Sequence, residues 1–513
     1  MARGCPEARP REKTGAPPPR SAIPAVPAAN RTVETLEHVL TRWVQSTALL
    51  RSDVEALVGF ALALAVTLHA LLRKRRVSVA VGWIGLAWLS PVFGAALYMT
   101  FGINRVYRRA RRLRRKPSDA AASQANDDAV VPEVLWPLGR AIRRITGLPA
   151  LAGNAVRVFH NGDEAYPAML AGIGEARASV VLSSYIFRDD ATGRAFCDAL
   201  ALAHARGVAV RVVIDGIGGG YFRAPAYRRL RRAGVPAALF MHSALPWRMP
   251  FLNLRSHKKL LILDGRVAFT GGLNISQPNR LESRPAHPIR DTHFRLTGPV
   301  VEQLAAAFAA DWAFADGESL DGEPWFVENP ACGESVARAV ISGPDADVMK
   351  IEQVVLQALA CARRTVRLAT PYFLPDELVT GALAQAAVRG ITVDVIIPQV
   401  SDHRFIDWAT RGHLEPLLRA GVRVWLDAPP FDHTKALVVD GAWCFVGSAN
   451  WDMRSFRLNF ELNVEVVDEG LADRLDHLMQ GKMGTRLTVE DLRRRALPVR
   501  LRDAGVRLLL PYL

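Results

Sequence analysis

Cysteine is scarce: five residues in 513, at positions 5, 197, 332, 361 and 444, odd in number and never two or three apart. That excludes a disulfide framework and a Cys-x-x-Cys metal site, and it suits a reducing compartment. His242, His287, His293 and His403 have no metal-ligand spacing, and the glycine run Gly216–Gly220 lacks the lysine of a nucleotide-cradling loop. No small-residue cleavage site follows the first apolar run, which begins more than fifty residues from Met1, so a removed signal peptide is not expected. At 50% hydrophobic and 22% charged residues, wholesale disorder is excluded as well. The length calls for more than one domain.

Basic charge is present but unevenly placed. Residues 1–150 hold 23 Lys/Arg against 10 Asp/Glu, whereas the remainder holds 42 against 40. A nucleic-acid enzyme would carry its phosphate-neutralising charge on the catalytic body; a basic segment beside apolar runs reads as a contact with anionic lipid instead. Residues 1–30, rich in Pro, Ala and Arg, read as a disordered tail, and 33–50 have the spacing of an amphipathic surface helix or an ordinary soluble one. Two stretches free of charged side chains follow, Ala56–Leu72 and Val77–Asn104, separated by Arg73-Lys74-Arg75-Arg76. They predict a two-helix transmembrane hairpin over 54–104, with Pro91 interrupting its second leg. Eleven Lys/Arg on the outer flanks against four at the tip place both termini in the cytoplasm, with the membrane crossed more than once. The basic stretch 105–116 begins a flank and linker that reaches residue 150.

Beyond the linker the chain repeats itself. VVLSSYIF (180–187) corresponds to VRLATPYF (366–373), ARGVAVRVVID (205–215) to VRGITVDVIIP (388–398), and LRRAGVPAALF (230–240) to LLRAGVRVWLD (417–427). Apolar β-branched runs alternate with stretches of helical spacing, so two α/β layered domains, 151–330 and 331–513, are expected, each with a largely parallel buried sheet.

Each repeat then reaches a His-x-Lys-x4-Asp segment, His257/Lys259/Asp264 and His433/Lys435/Asp440. Alternate residues of a strand share a face, so His and Lys of each segment point the same way. Asp264 and Asp440 have the opposite parity and precede Gly265 and Gly441; they read first as hairpin-turn residues and second as members of the site. The returning strands bring back Asn274 on one side and Ser448 and Asn450 on the other, as candidate phosphate ligands. Two such halves offer paired imidazoles, ammoniums and amides: a site for a phosphodiester with no metal and no cofactor, the lysines and amides holding nonbridging oxygens and the histidines dividing attack from proton transfer.

These paired segments resemble the signature of the phospholipase D superfamily. PVFGAALYMTFGINR (91–105), SHKKLLILDGRVAFTGGLNIS (256–276), DTHFRLTGP (291–299), ATPYFLPDE (369–377) and VGSANWDMRSFRLNFELNVEV (446–466) are similar, within it, to the bacterial cardiolipin synthases. The resemblance implies phosphatidyl transfer from one phosphatidylglycerol to another through a phosphohistidine, with release of glycerol. It further implies His257 as nucleophile and His433 as general acid and base, or the reverse, and Asp291 and Glu461 as the acids that orient the histidines. Asp432 stands where an apolar residue is common in the superfamily, and Ile-Ser-Gln-Pro-Asn-Arg after Asn274 departs from its usual acidic and aromatic residues.

The partners implied are phosphatidylglycerol and anionic membrane lipid, with no nucleic acid. The rival readings are a hydrolase using the same site, a transferase of another glycerophospholipid, and a nuclease, the last opposed by the apolar hairpin and the charge distribution. Tyr221, Phe222 and Trp247 are candidates either for a lipid entrance or for core packing.

Overall fold

The computed structural model describes residues 30–74, 77–102, 129–242, 254–343 and 347–508. The expected tail, Arg75 and Arg76 of the hairpin tip, the basic flank 105–116, the polar stretch 117–128 and Trp247 lie outside the described residues. Two compact units divide the chain, Met1–Ile103 and Asn104–Leu513.

In the first unit α1 (Asn30–Arg73) is one continuous helix of 44 residues, absorbing the separate surface helix expected over 33–50. No Gly or Pro lies between Asn30 and Val58 to stop it. Among the described residues its stretch Asp53–Arg73 is the one helix long and apolar enough to cross a bilayer. The second expected span is broken. α2 (Val77–Leu89) ends before Ser90, and α3 (Pro91–Leu97) restarts on Pro91, whose missing N–H is tolerated only in a first turn. α2 and α3 pack on α1 around Ala63, Ala70, Trp83, Ala87 and Ala95. Leu57, Phe60, Leu68, Leu71 and Leu72 of α1 remain exposed.

The second unit is built on one mixed sheet. The first half contributes β1 (Leu151–His160), β2 (Ser179–Ser184), β3 (Ala209–Asp215), β4 (Ala237–Phe240), β5 (Leu260–Leu263), β6 (Val267–Gly271) and β7 (Thr292–Thr297). The second contributes β8 (Ser335–Ser342), β9 (Thr365–Ala369), β10 (Thr392–Pro398), β11 (Arg423–Asp427), β12 (Ala436–Val439), β13 (Trp443–Gly447), β14 (Asn459–Val467) and β15 (Thr485–Leu487). Their order, β15-β11-β10-β9-β12-β13-β14-β8-β1-β7-β6-β5-β2-β3-β4, reads the same from either side of the β8–β1 join apart from the added β15. The sheet is not largely parallel. The longer parallel ladders are β2–β3–β4 and β9–β10–β11, where helical crossovers link the strands. Hairpins after Asp264 and Asp440 make β5–β6 and β12–β13 antiparallel, and the two halves join antiparallel at Leu151 opposite Ala337.

Strand alternation divides the core. Leu260 and Ile262 of β5 join a cluster shared by both halves, while Leu261 and Leu263 join one private to the first; Ala436 and Val438 against Leu437 and Val439 of β12 do the same in the second. α4 (Val300–Ala315) and α5 (Glu469–Gln480) supply Phe308, Trp312, Leu471 and Leu475 to the shared cluster. Three layers result, with the repeat's two halves fused through the middle one.

Candidate active site

Each histidine segment crosses onto the other half before entering its own strand. Arg255-Ser256 pairs in parallel with Asn459-Phe460, and the His257 N–H donates to the Phe460 carbonyl at 2.8 Å. Likewise Phe431-Asp432 pairs with Ile289-Arg290, and the His433 N–H donates to the Arg290 carbonyl at 2.8 Å. The next residue along each foreign strand is an acid. Glu461 Oε2 therefore lies 3.1 Å from His257 Nδ1, which also faces the Ser448 carbonyl at 2.9 Å, and Asp291 Oδ2 lies 2.8 Å from His433 Nδ1. Each imidazole is oriented by a carboxylate from the opposite half.

With both Nδ1 atoms engaged, Nε2 is the reactive nitrogen of each ring. The rings face one another across the pseudo-twofold, centroids 6.4 Å apart and planes at 79°. Lys259 Nζ donates to the His257 carbonyl at 2.7 Å and Lys435 Nζ to the His433 carbonyl at 2.6 Å, so the ammoniums stand beside the rings they follow. Aromatic rings the sequence did not single out complete the walls: Tyr185 at 4.9 Å from His257, with Lys259 over its face at 5.1 Å, and Tyr372 and Phe431 at 6.3 and 6.0 Å from His433. The only signal for them in sequence was their place in the segments after β2 and β9 and immediately ahead of the second motif.

Burial sets the electrostatics. It pulls His257 down to about 4 against the raising influence of Glu461, and it lowers His433, where Lys435 adds to the effect. Burial and the facing Lys435 bring Lys259 down to about 7; burial brings Lys435 down to about 8. For Glu461 burial pushes upward, but His257 and Lys259 outweigh it and hold the carboxyl below its usual range. In the ligand-free site the imidazoles are thus neutral, and the lysines beside them hold their charge less firmly than free lysines, a charge that an arriving anion would stabilise.

Three expectations change. Asp264 and Asp440 sit in the hairpin turns at the far ends of β5 and β12 from the histidines. The Asp264 carboxylate accepts from the backbone N–H groups of Arg177, Ala178 and Ser179, and that of Asp440 from Arg363, Arg364 and Thr365. The structure does not bring them to the reacting centre. Ser448 is not free for phosphate, because its hydroxyl donates to Glu461 Oε2 at 2.6 Å and accepts from the Leu462 N–H at 3.0 Å. Its counterpart Gly272 has no room for a side chain; a Cβ there would stand 2.2 Å from Asp291 Oδ1. The asparagines differ from one another: Asn274 Oδ1 accepts from the Ile186 N–H at 3.2 Å, whereas the buried Oδ1 of Asn450 has no hydrogen-bond partner. Among the described residues no group of three or more His, Cys, Asp or Glu converges as a metal site.

A duplicated imidazole–ammonium pair of this kind is a device for moving a phosphorus-bearing group. The family model described as cardiolipin synthase, PLD-like domain, matches residues 169–312 and 355–483. Cardiolipin synthase A of Pseudomonas putida (strain GB-1) is 33% identical over 87% of this chain and 95% of its own. That of Pseudomonas aeruginosa (strain LESB58) is 33% identical over 86% and 91%. The crystal structure of phosphatidylserine synthase from Haemophilus influenzae superposes with a TM-score of 0.56 at 14% identity, covering 73% of this chain and all of that one, a likeness of fold. The chain belongs to the cardiolipin synthase family of the phospholipase D superfamily and is a phosphatidyltransferase of phospholipid biosynthesis.

Proposed function

We propose that the enzyme makes cardiolipin by joining two phosphatidylglycerols through a phosphohistidine. The observation that carries this reading is the pair of buried imidazoles at 6.4 Å, each held through Nδ1 by the other half. His257 Nε2 attacks phosphorus of the first lipid; the N–P bond forms, the P–O bond to glycerol breaks, and His433, which takes up a proton as the anionic lipid binds and so enters the step as imidazolium, gives the departing alkoxide its Nε2 proton. The glycerol hydroxyl of the second lipid then loses a proton to His433 and attacks phosphorus, and the N–P bond breaks. Lys259, Lys435 and Asn450 hold the nonbridging oxygens, and Asp291 and Glu461 keep the tautomers.

The roles of His257 and His433 follow the family resemblance; the carboxylate partner of His257 also accepts from Ser448 and Asn459. The exposed leucines on Asp53–Arg73 support a helix in lipid rather than in a protein core. The broken α2–α3 would form the second leg, both termini would be cytoplasmic, and residues 151–330 and 331–513 would be the two catalytic domains.

Purified full-length protein in liposomes with labelled phosphatidylglycerol tests the reading, with cardiolipin, glycerol and phosphatidic acid all scored. Cardiolipin with equimolar glycerol, absent in His257→Ala and His433→Ala, is expected. Phosphatidic acid alone would replace it with a hydrolase. Phosphorus label retained on the chain by His433→Ala after a detergent quench at neutral to mildly alkaline pH, where an N–P bond survives, and not by His257→Ala, would assign the nucleophile.

A further inference from the structure

Two surface segments in the catalytic unit are unused by this chemistry, each a loop leading into a helix, with Phe222 in the first loop and Phe405 in the first turn of the helix Arg404–Arg411. Phe222 and Phe405 each stand seven residues beyond the end of a parallel strand, Asp215 of β3 and Pro398 of β10. They occupy the same place in the internal repeat, and both are exposed, 81% and 58%. A single exposed phenylalanine calls for no explanation; the same one held outward at matching positions of both halves does.

Both loops lie one ring away from a histidine. Gly218 of the first passes so close to Tyr185 that a Cβ would stand 2.3 Å from the Tyr185 carbonyl, and the Tyr185 ring is 4.9 Å from His257. In the second, Asp402 accepts from the Tyr372 hydroxyl at 2.7 Å, and the Tyr372 ring is 6.3 Å from His433. Phe222 thus follows Gly218 by four residues and Phe405 follows Asp402 by three, one on each side of the histidine pair along the repeat. Exposed Arg223, Arg228, Arg231 and Arg232 follow Phe222, with no acidic residue between Tyr221 and Phe240.

We infer that these loops are the footing of the catalytic unit on an anionic bilayer, Phe222 and Phe405 entering the boundary between headgroups and acyl chains while the arginines meet lipid phosphates. The inference rests on the phosphatidyl-transfer reading of the site. The reacting phosphorus of a membrane lipid lies at headgroup depth, so a buried histidine pair reaches it only if the mouth is set against the surface. An aromatic on either side sets that depth, and basic charge selects anionic lipid.

The test uses the full-length chain with Cys5, Cys332 and Cys361 replaced by serine, since Cys197 and Cys444 are buried. Phe222→Cys, Phe405→Cys and, as control, Arg266→Cys in the exposed hairpin turn at the opposite end of β5 are each labelled with a small fluorophore. The proteins are reconstituted in mixed phosphatidylcholine–phosphatidylglycerol liposomes and quenched with acrylamide. Quenching several-fold slower at 222 and 405 than at 266, with weaker protection of 222 in phosphatidylcholine alone, is expected. Equal quenching at all three positions overturns the footing, and equal protection in phosphatidylcholine alone overturns the part given to the arginines. Lipid conversion in the same liposomes is scored separately: protected labels without transfer would sink the reading of the site, and transfer with unprotected labels would sink the footing.

Discussion

Glu461 is fully buried and accepts at once from His257, the Ser448 hydroxyl and the Asn459 amide. Its charge is what fixes the His257 tautomer, so Glu461→Gln, which preserves volume, isolates that term. By analogy with a triad carboxylate, kcat should fall by roughly 10^3 to 10^4-fold with little change in melting temperature, and Asp291→Asn should do the same through His433. Transfer assays paired with thermal unfolding check both. The pH profile belongs to this scale too. With His257 near 4 the nucleophile is free above an acid limb near 4, while the acid His433, itself lowered by burial, must keep its proton; kcat/KM of the free enzyme should therefore fall above the lowered range of His433 and fall further as pH rises through 7 to 8, when Lys259 and Lys435 lose the charge that binds phosphate. Stability takes the opposite sign. Each lysine binds its proton less tightly folded than unfolded, so from its folded value up to 10.5 the unfolded chain holds more protons and this pair makes the ligand-free protein more stable as pH rises. Melting curves across that window, beside the kinetics, would show the two trends diverging.

At the scale of the element, the Asp-Gly hairpins do more than reverse the chain. Asp264 and Asp440 adopt φ of +51° and +54° and tie the entry of β2 and β9 to the turns of β5 and β12, three backbone N–H groups apiece. Asp264→Ala would strip those donors of their acceptor. A loss of about 1–3 kcal/mol is expected, with kcat per folded active site retained. Denaturation curves with active-site titration distinguish this from a catalytic role, in which kcat would fall at unchanged stability. The turn was legible in sequence because Asp-Gly after an apolar run is a local signal. Its anchoring of a strand some 85 residues away was not, since those N–H groups carry no side-chain signature.

For the molecule as a whole, the interface between halves is where the cost of polar burial is settled. Lys482 Nζ donates to Asp432 Oδ2 at 2.6 Å and to Thr434 Oγ1 at 2.8 Å, and Thr434 meets Thr292 of the other half at 2.9 Å. Burial pushes Asp432 upward, but Lys482 outweighs it and holds the carboxyl down to about 2. Asp432 does turn away from the reacting centre, as strand alternation requires, yet it is a buried charge held closely by Lys482, with Arg290 Nε farther off at 3.7 Å. Lys482→Met would leave it only the more distant Arg290 and cost up to about 3 kcal/mol, and adding Asp432→Asn should recover much of that. Unfolding midpoints of the single and double variants measure the coupling.

The sequence by itself determined the repeat, the strand and turn pattern of each half, and the residues that form the site, because these rest on periodicity and on duplicated side chains at fixed spacing. It determined the apolar character of the N-terminal segment, while the break at Ser90-Pro91 set how that segment folds. Only tertiary structure decided that the halves share one mixed sheet and that each histidine takes its acid from the other half. It also decided that Ser448 serves Glu461 rather than phosphate. The physical reason for the first two is that a strand's residues specify which side chains share a face, but which foreign strand that face meets depends on pairings between residues more than a hundred positions apart, such as His433 with Asp291, that no local pattern encodes; the third follows, because Glu461 is drawn to Ser448 and to His257 at once.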